Sequence, residues 1–184
     1  AITINPDDWK AYSLIADALQ ENGQGESIQK KLSVLEMRSD LPCWVLALLG
    51  SGYEAAGNME SALRYADQAL SLHVNCARAW NLKGTIAYRQ GYLEEAEKHF
   101  INAIDADREW GDPSTNIGVL HWEKGEIEKA LDCFEKGFQL SPTAPNIAAS
   151  YHAAIRETER YDRAKSIFEN VVKQYPGFRK ARFF

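Results

Sequence analysis

Residues 77–107 read Ala-Arg-Ala-Trp-Asn-Leu-Lys-Gly-Thr-Ile-Ala-Tyr-Arg-Gln-Gly-Tyr-Leu-Glu-Glu-Ala-Glu-Lys-His-Phe-Ile-Asn-Ala-Ile-Asp-Ala-Asp. Apolar residues recur at helical spacing, a polar turn centred on Gly91 interrupts them, and a second helical run follows. That pattern predicts a helix-turn-helix hairpin. It repeats along the chain. At steps of 34 residues, the position where the two helices cross holds Ala16, Gly50, Gly84, Gly118 and then His152. The turn position holds Gly23, Gly57, Gly91, Gly125 and then Glu159. The second helix carries Ile28, Ala62, Ala96, Ala130 and Ala164, followed one turn later by Leu32, Ala66, Phe100, Phe134 and Phe168. Proline falls on the same comb at Pro6, Pro142 and Pro176.

The period of 34, with Trp80, Gly84, Gly91, Ala96, Phe100 and Ala103 in one repeat, resembles the tetratricopeptide repeat (TPR). The resemblance covers five repeats, 9–42, 43–76, 77–110, 111–144 and 145–178, read as one domain over 1–184. It implies an all-α, tandem helix-turn-helix solenoid, a right-handed superhelix whose first helices line a concave groove. Each hairpin has two apolar faces and needs a neighbour to cover one of them. Residues 1–8 match the end of a preceding repeat and 179–184 the start of a following helix, so the chain is expected to be a fragment of a longer protein.

Two repeats carry local signals of their own. Asp112-Pro113 is expected to open the fourth as an N-cap acceptor followed by a proline at the first helical position. The fifth departs from the pattern, because His152 replaces the small residue at the crossing and should push its helices apart. In the second, Ala62, Ala66 and Ala69 should allow close approach, and in the first, helices are expected over 9–22 and up to about Arg38.

Composition excludes several functional classes. A chain of 184 residues with 45% hydrophobic and 26% charged residues is ordinary for a folded protein. The formal charge of −5 gives no basic stripe for nucleic acid or an anionic membrane surface. No apolar run approaches the roughly 18–20 residues needed to span a bilayer. Cys43, Cys76 and Cys133 are odd in number and widely spaced, which suggests reduced thiols and a cytoplasmic location rather than a disulfide framework or a zinc site.

Catalytic chemistry is not indicated. Gly50-Ser-Gly52 and Gly23-Gln-Gly25 lack the preceding strand that a phosphate-binding loop requires. His73, His99, His121 and His152 show no ligand spacing, and His121 shares its position with Leu19, Tyr53, Ala87 and Ile155, as a packed core residue would. The paired carboxylates Glu94-Glu95, Glu126/Glu128 and Glu157/Glu159 fall at hairpin turns, where a charged surface is expected. No catalytic, cofactor-binding or metal-binding residue is assigned.

Once the packing positions are removed, the remaining first-helix residues should face the groove. They are Lys10, Ser13, Asp17, Gln20 and Glu21, then Ala47, Ser51 and Glu54, then Arg78, Asn81, Thr85, Tyr88 and Arg89. The fourth repeat adds Asp112, Thr115, Asn116, Val119, Trp122 and Glu123, and the fifth adds Asn146, Ala149, Ala153 and Arg156. The strongest candidates for partner binding are Arg78, Asn81, Thr85, Tyr88, Arg89, Asp112, Asn116, Trp122, Asn146 and Arg156. Amides can hold an extended backbone, guanidinium groups pair with carboxylates, and aromatic rings anchor. The expected function is a protein-interaction scaffold that binds a partner peptide or helix and is not itself an enzyme.

Lys10 with Ser13 and Asp17 does not match the Lys/Asn pattern of repeats that hold a chaperone's C-terminal carboxylate. Asn81 and Asn116 resemble the asparagine ladder in the TPR superhelix of protein O-glycosyltransferases. The alternative is therefore a substrate-recruiting or dimerising arm of a larger enzyme such as a glycosyltransferase. A third reading is a homo-oligomer assembled through open solenoid ends.

Overall fold

The computed structural model describes residues 40–175, and all regular structure there is helical. The helices are α1 (Cys43–Ala55), α2 (Met59–Leu72), α3 (Ala77–Arg89), α4 (Leu93–Ala106), α5 (Asp112–Glu123), α6 (Ile127–Leu140), α7 (Pro145–Thr158) and α8 (Tyr161–Gln174). Residues 1–8, the helices expected over 9–38 with their groove residues Lys10, Ser13, Asp17, Gln20 and Glu21, and residues 179–184 lie outside the described residues. Packing divides the chain into two bodies between Ala106 and Asp107. In the first, α1 pairs with α2 and α3 with α4, and α3 lies against both helices of the preceding hairpin. In the second, α5 pairs with α6, and α6 packs on α7.

Three turns end in the same way because glycine allows a positive φ. Gly57, Gly91 and Gly125 have φ of 82°, 82° and 74°. At each, the N–H of the following residue donates to the carbonyl five positions back: Asn58 to Tyr53, Tyr92 to Ala87, and Glu126 to His121, all at 2.9 Å. The glycine N–H donates to the carbonyl three positions back in the same turns. These paired bonds satisfy carbonyls that a helix end leaves open. Asn58 then caps α2, its side chain accepting from the Ser61 N–H at 3.0 Å.

Glu159 takes the same left-handed conformation, with φ 56° and ψ 25°, although it has a β-carbon. Its neighbour Arg160 still donates to Ile155, so the turn is kept against the side chain's preference. A left-handed non-glycine residue costs about 1–2 kcal/mol. Glu159 is solvent-exposed. Glu159→Gly is therefore expected to raise stability by about 0.5–1 kcal/mol, part of the relief being offset by glycine's greater unfolded-state freedom. Urea unfolding of the two proteins would check it.

The crossing positions are packed as their spacing requires. Ala62, Ala66, Ala69, Ala96, Ala103, Ala130 and Ala164 are fully buried, and Phe100, Phe134 and Phe168 are buried beside them. A β-carbon on Gly84 would meet Phe100 Cδ1 at 2.5 Å, and one on Gly118 would meet Phe134 Cδ1 at 2.7 Å. In the hairpin of α7 and α8 the corresponding residue is His152, whose ring stands edge-on to Phe168 with centroids 5.1 Å apart. Consistent with that bulk, α7 and α8 approach less closely than the helices of the other hairpins. Aromatic rings fill the wider gap, with Tyr151 stacked on Phe168 at 5.5 Å and Phe138 within 5.2 Å of Tyr151.

One local expectation needs correcting. The N-cap of α5 is Gly111, while Asp112 is already the first helical residue. Proline is tolerated on either of the first two helical positions because the N–H it lacks has no helical partner there, so the Asp-Pro signal marks the start to within one residue.

Candidate functional site

In the first body, α3 buries Ala79, Leu82, Gly84, Ile86 and Ala87. Arg78, Asn81, Thr85 and Tyr88 remain half-exposed. Their spacing of three, four and three residues puts them on one stripe of the helix. Two further bonds fix the helix. The Trp80 indole N–H donates to the Val74 carbonyl at 2.8 Å, closing the loop after α2, and Lys83 pairs with Asp67 of α2 at 2.8 Å. The Thr85 hydroxyl donates to the Asn81 carbonyl at 3.1 Å, so its proton is already engaged within the helix.

Arg89 belongs less to an open stripe than to a link between first helices. Its Nε lies 2.6 Å from Glu54 Oε1, and its Nη1 donates to the Glu54 carbonyl at 3.4 Å. Glu54 is only 7% exposed. Burial raises its pKa above the usual carboxylate value of 4.5, and the Arg89 charge opposes that shift. In the folded state Glu54 thus takes up its proton at higher pH than when unfolded, so the cost of its buried charge is present above the folded pKa and relieved below it. Arg89→Ala is expected to destabilise by about 1–2 kcal/mol at neutral pH, and by less in buffer acidic enough to protonate Glu54. Glu54→Gln, which removes the buried charge, should cost less than Arg89→Ala. Urea unfolding at the two pH values distinguishes these outcomes.

The second body contains a corresponding link. Asn146 Nδ2 of α7 donates to Asp112 Oδ1 of α5 at 3.3 Å, joining residues 34 apart at the same repeat position. Asn116 is half-exposed, and Arg156 is exposed near the end of α7. Trp122 is half-buried and lies 6.2 Å from the Phe134 ring, so part of its surface belongs to the core. Of the other sequence candidates, Thr115 is buried with its hydroxyl donating to Gly111, while Ala47 is completely buried. Asn81 and Asn116 are 35 residues apart, and the position equivalent to Asn116 in α3 is the buried Leu82. They fall one position out of phase with the 34-residue period.

Two of the histidines, His99 and His121, pack against neighbouring side chains. His121 is largely buried and its Nδ1 is 2.6 Å from Glu126 Oε2, which holds the Glu126 carboxyl below its usual pKa, helped by Lys129. His99 stacks on Trp80 at 5.5 Å, and burial lowers its pKa. On the second helices, Arg163 of α8 reaches Glu128, Asp132 and Glu135 of α6, a link that sequence reading had not singled out. Residue types at a separation near one repeat would have signalled it. Among the described residues no group of three or more His, Cys, Asp or Glu could hold a metal ion, and no helix is long and apolar enough to cross a membrane.

Comparison with known proteins finds three family profiles, each described as tetratricopeptide repeat, matching residues 48–113, 114–143 and 147–177. A photosystem I assembly protein Ycf3 of Rippkaea orientalis is 28% identical over 102 residues, half of this chain and 59% of that protein. The chain thus spans less than two thirds of that relative's length. Among solved structures, a thermophilic TPR protein of Thermus thermophilus superposes with a TM-score of 0.67 over 94% of both chains, at 17% identity. Pseudomonas aeruginosa pilF gives 0.59 over 87% of this chain and 73% of that one, at 21% identity. These likenesses concern the fold.

Proposed function

Because the chain belongs to the tetratricopeptide-repeat family, we propose that it is a non-catalytic scaffold which binds a protein or peptide partner along its first helices. The observation that carries this reading is the stripe on α3. Arg78, Asn81 and Tyr88 combine a guanidinium, an amide and a phenol ring on one half-exposed line, beside the buried face of Ala79, Leu82, Gly84, Ile86 and Ala87. Such side chains can grip an extended segment through its backbone and one acidic or apolar side chain. The helix is held by Trp80 and Lys83 before any partner arrives, so most of the ordering cost falls on the ligand. In the second body, Asn116 and Trp122 on α5 and Arg156 on α7 are proposed to serve in the same way.

The Ycf3 relative is named as an assembly protein, and holding other proteins together during assembly is work that such a surface suits. The glycosyltransferase-arm alternative loses support, since Asn81 and Asn116 do not fall on equivalent repeat positions. The test is affinity capture from source-cell lysate with the wild-type chain and an Arg78→Ala/Asn81→Ala variant of unchanged helicity, read by mass spectrometry. A protein retained by the wild type and lost by the variant supports the proposal. Equal capture by both, or recovery of only further copies of this protein, overturns it in favour of self-assembly or another surface.

A further inference from the structure

The turn between α7 and α8 has no glycine. Gly57, Gly91 and Gly125 take a positive φ at the earlier turns, whereas here Glu159 does so, the one non-glycine residue among those described. Unlike α2, whose start is capped by Asn58, α8 begins at Arg160 with no side-chain cap. Neither glycine nor proline occurs between Asn146 and Tyr175. Nothing in that stretch obliges the helix to break, and glutamate and arginine are good helix formers.

The ion pairs that seat α8 are made with α6. Arg163 Nε lies 3.0 Å from Glu135 Oε2 and its Nη1 3.3 Å from Glu128 Oε2, while its Nη2 reaches Asp132. Arg160 Nη2 is 2.7 Å from Glu128 Oε1. The Phe168 ring lies 5.0 Å from that of Phe138 on α6 and stacks on Tyr151 of α7. The crossing with α7 is looser than in the other hairpins, so α8 leaves it more readily.

We propose that a second copy of this chain binds here by exchange of α8: α7 and α8 straighten into one helix, and the α8 of each copy takes its seat on the α6 and α7 of the other. The ion pairs and ring contacts of α8 are re-formed between copies, so the exchange sacrifices none of them. What changes is the turn. Glu159 passes from the left-handed to the right-handed helical region, which relieves the cost of its β-carbon in both copies. Backbone N–H groups after it gain carbonyl partners four residues back. Short hinges under strain favour such exchange, because the closed and exchanged forms differ at little else. Lost freedom on association opposes it, so the dimer's share grows with concentration. The exchange concerns the second body and goes beyond partner binding on α3.

The experiment holds the full chain overnight at a series of concentrations in just enough urea to loosen α8, returns it to buffer, and measures mass by size-exclusion chromatography with light scattering. Wild type is expected to give a dimer fraction that rises with concentration. In Glu159→Gly, which eases the closed turn and weakens a continuous helix, the dimer association constant should fall at least about tenfold. A second arm separates exchange from contact between outer surfaces. Arg163→Glu is mixed with Asp132→Arg/Glu135→Arg. Within either variant α8 meets like charge on its own α6, whereas in a dimer of one of each, opposite charges meet at both seats. The mixture is expected to form a one-to-one dimer where each variant alone is monomeric. Helicity shows beforehand that both are folded, and the Glu159→Gly comparison decides the matter should either fail to fold. A wild type that is monomeric at every concentration, a dimer unaffected by Glu159→Gly, or a mixture of folded variants that stays monomeric would each overturn the proposal.

Discussion

Phe138→Ala is expected to destabilise the second body by about 4 kcal/mol, within the range of about 3–5 kcal/mol for truncating a buried phenylalanine. Phe138 has no exposed surface. It projects from α6 into the space between α7 and α8, 5.2 Å from the Tyr151 ring and 5.0 Å from that of Phe168. Those helices lack the close crossing of the other hairpins, so the aromatic group does the joining that small residues do elsewhere. Removal leaves a cavity bordered by two large rings, neither of which can collapse into it without leaving the other. Urea unfolding of the variant beside Tyr161→Ala, whose side chain is 47% exposed, gives the comparison. A loss below about 1 kcal/mol for Phe138→Ala would mean that α8 is held by other contacts.

Gly84→Val should cost about 3 kcal/mol, for the opposite reason. A β-carbon at Gly84 would lie 2.5 Å from both Cδ1 and Cε1 of Phe100. Phe100 is 2% exposed and has nowhere to turn. Either α3 and α4 separate or the ring leaves its rotamer, and overpacking of this kind costs about 1–3 kcal/mol before the β-branch's helical cost is added. Gly84→Ala should lose less. Phe100→Ala combined with Gly84→Ala should lose less than the two single changes summed, since the first removes the ring that the methyl group of the second strikes. Additive losses would show that the ring is not what excludes the methyl group. Gly91 offers a control, because no atom lies within 4 Å of its position and only its φ of 82° demands glycine.

Much of this fold was legible in the sequence. Gly84 with Phe100 and Gly118 with Phe134 could be paired from their spacing alone, because helix-to-helix packing repeats whenever residue size repeats. Gly57, Gly91 and Gly125 marked the turns for a similar reason. His152 announced a wider hairpin, although not the ring cluster of Tyr151, Phe138 and Phe168 that fills it. The candidate site was legible only as a stripe. Arg78, Asn81, Thr85 and Tyr88 share a helix face by their spacing, and the structure leaves them half-exposed. Arg89 looked equivalent to them, yet it lies against Glu54 of the neighbouring first helix.

The sequence by itself determined the helical hairpin, its period, the residues at each crossing and the faces each helix must bury. These follow from backbone periodicity and side-chain volume, which act within one hairpin and recur in the next. Only the tertiary structure decided which polar groups meet across neighbouring helices: Arg89 with Glu54, Asn146 with Asp112, and Arg163 with the α6 carboxylates. Such meetings depend on how far a side chain reaches between two stacked helices. A shift of one helical position turns a side chain by about 100° and ends the contact, while the apolar stripe tolerates the same shift.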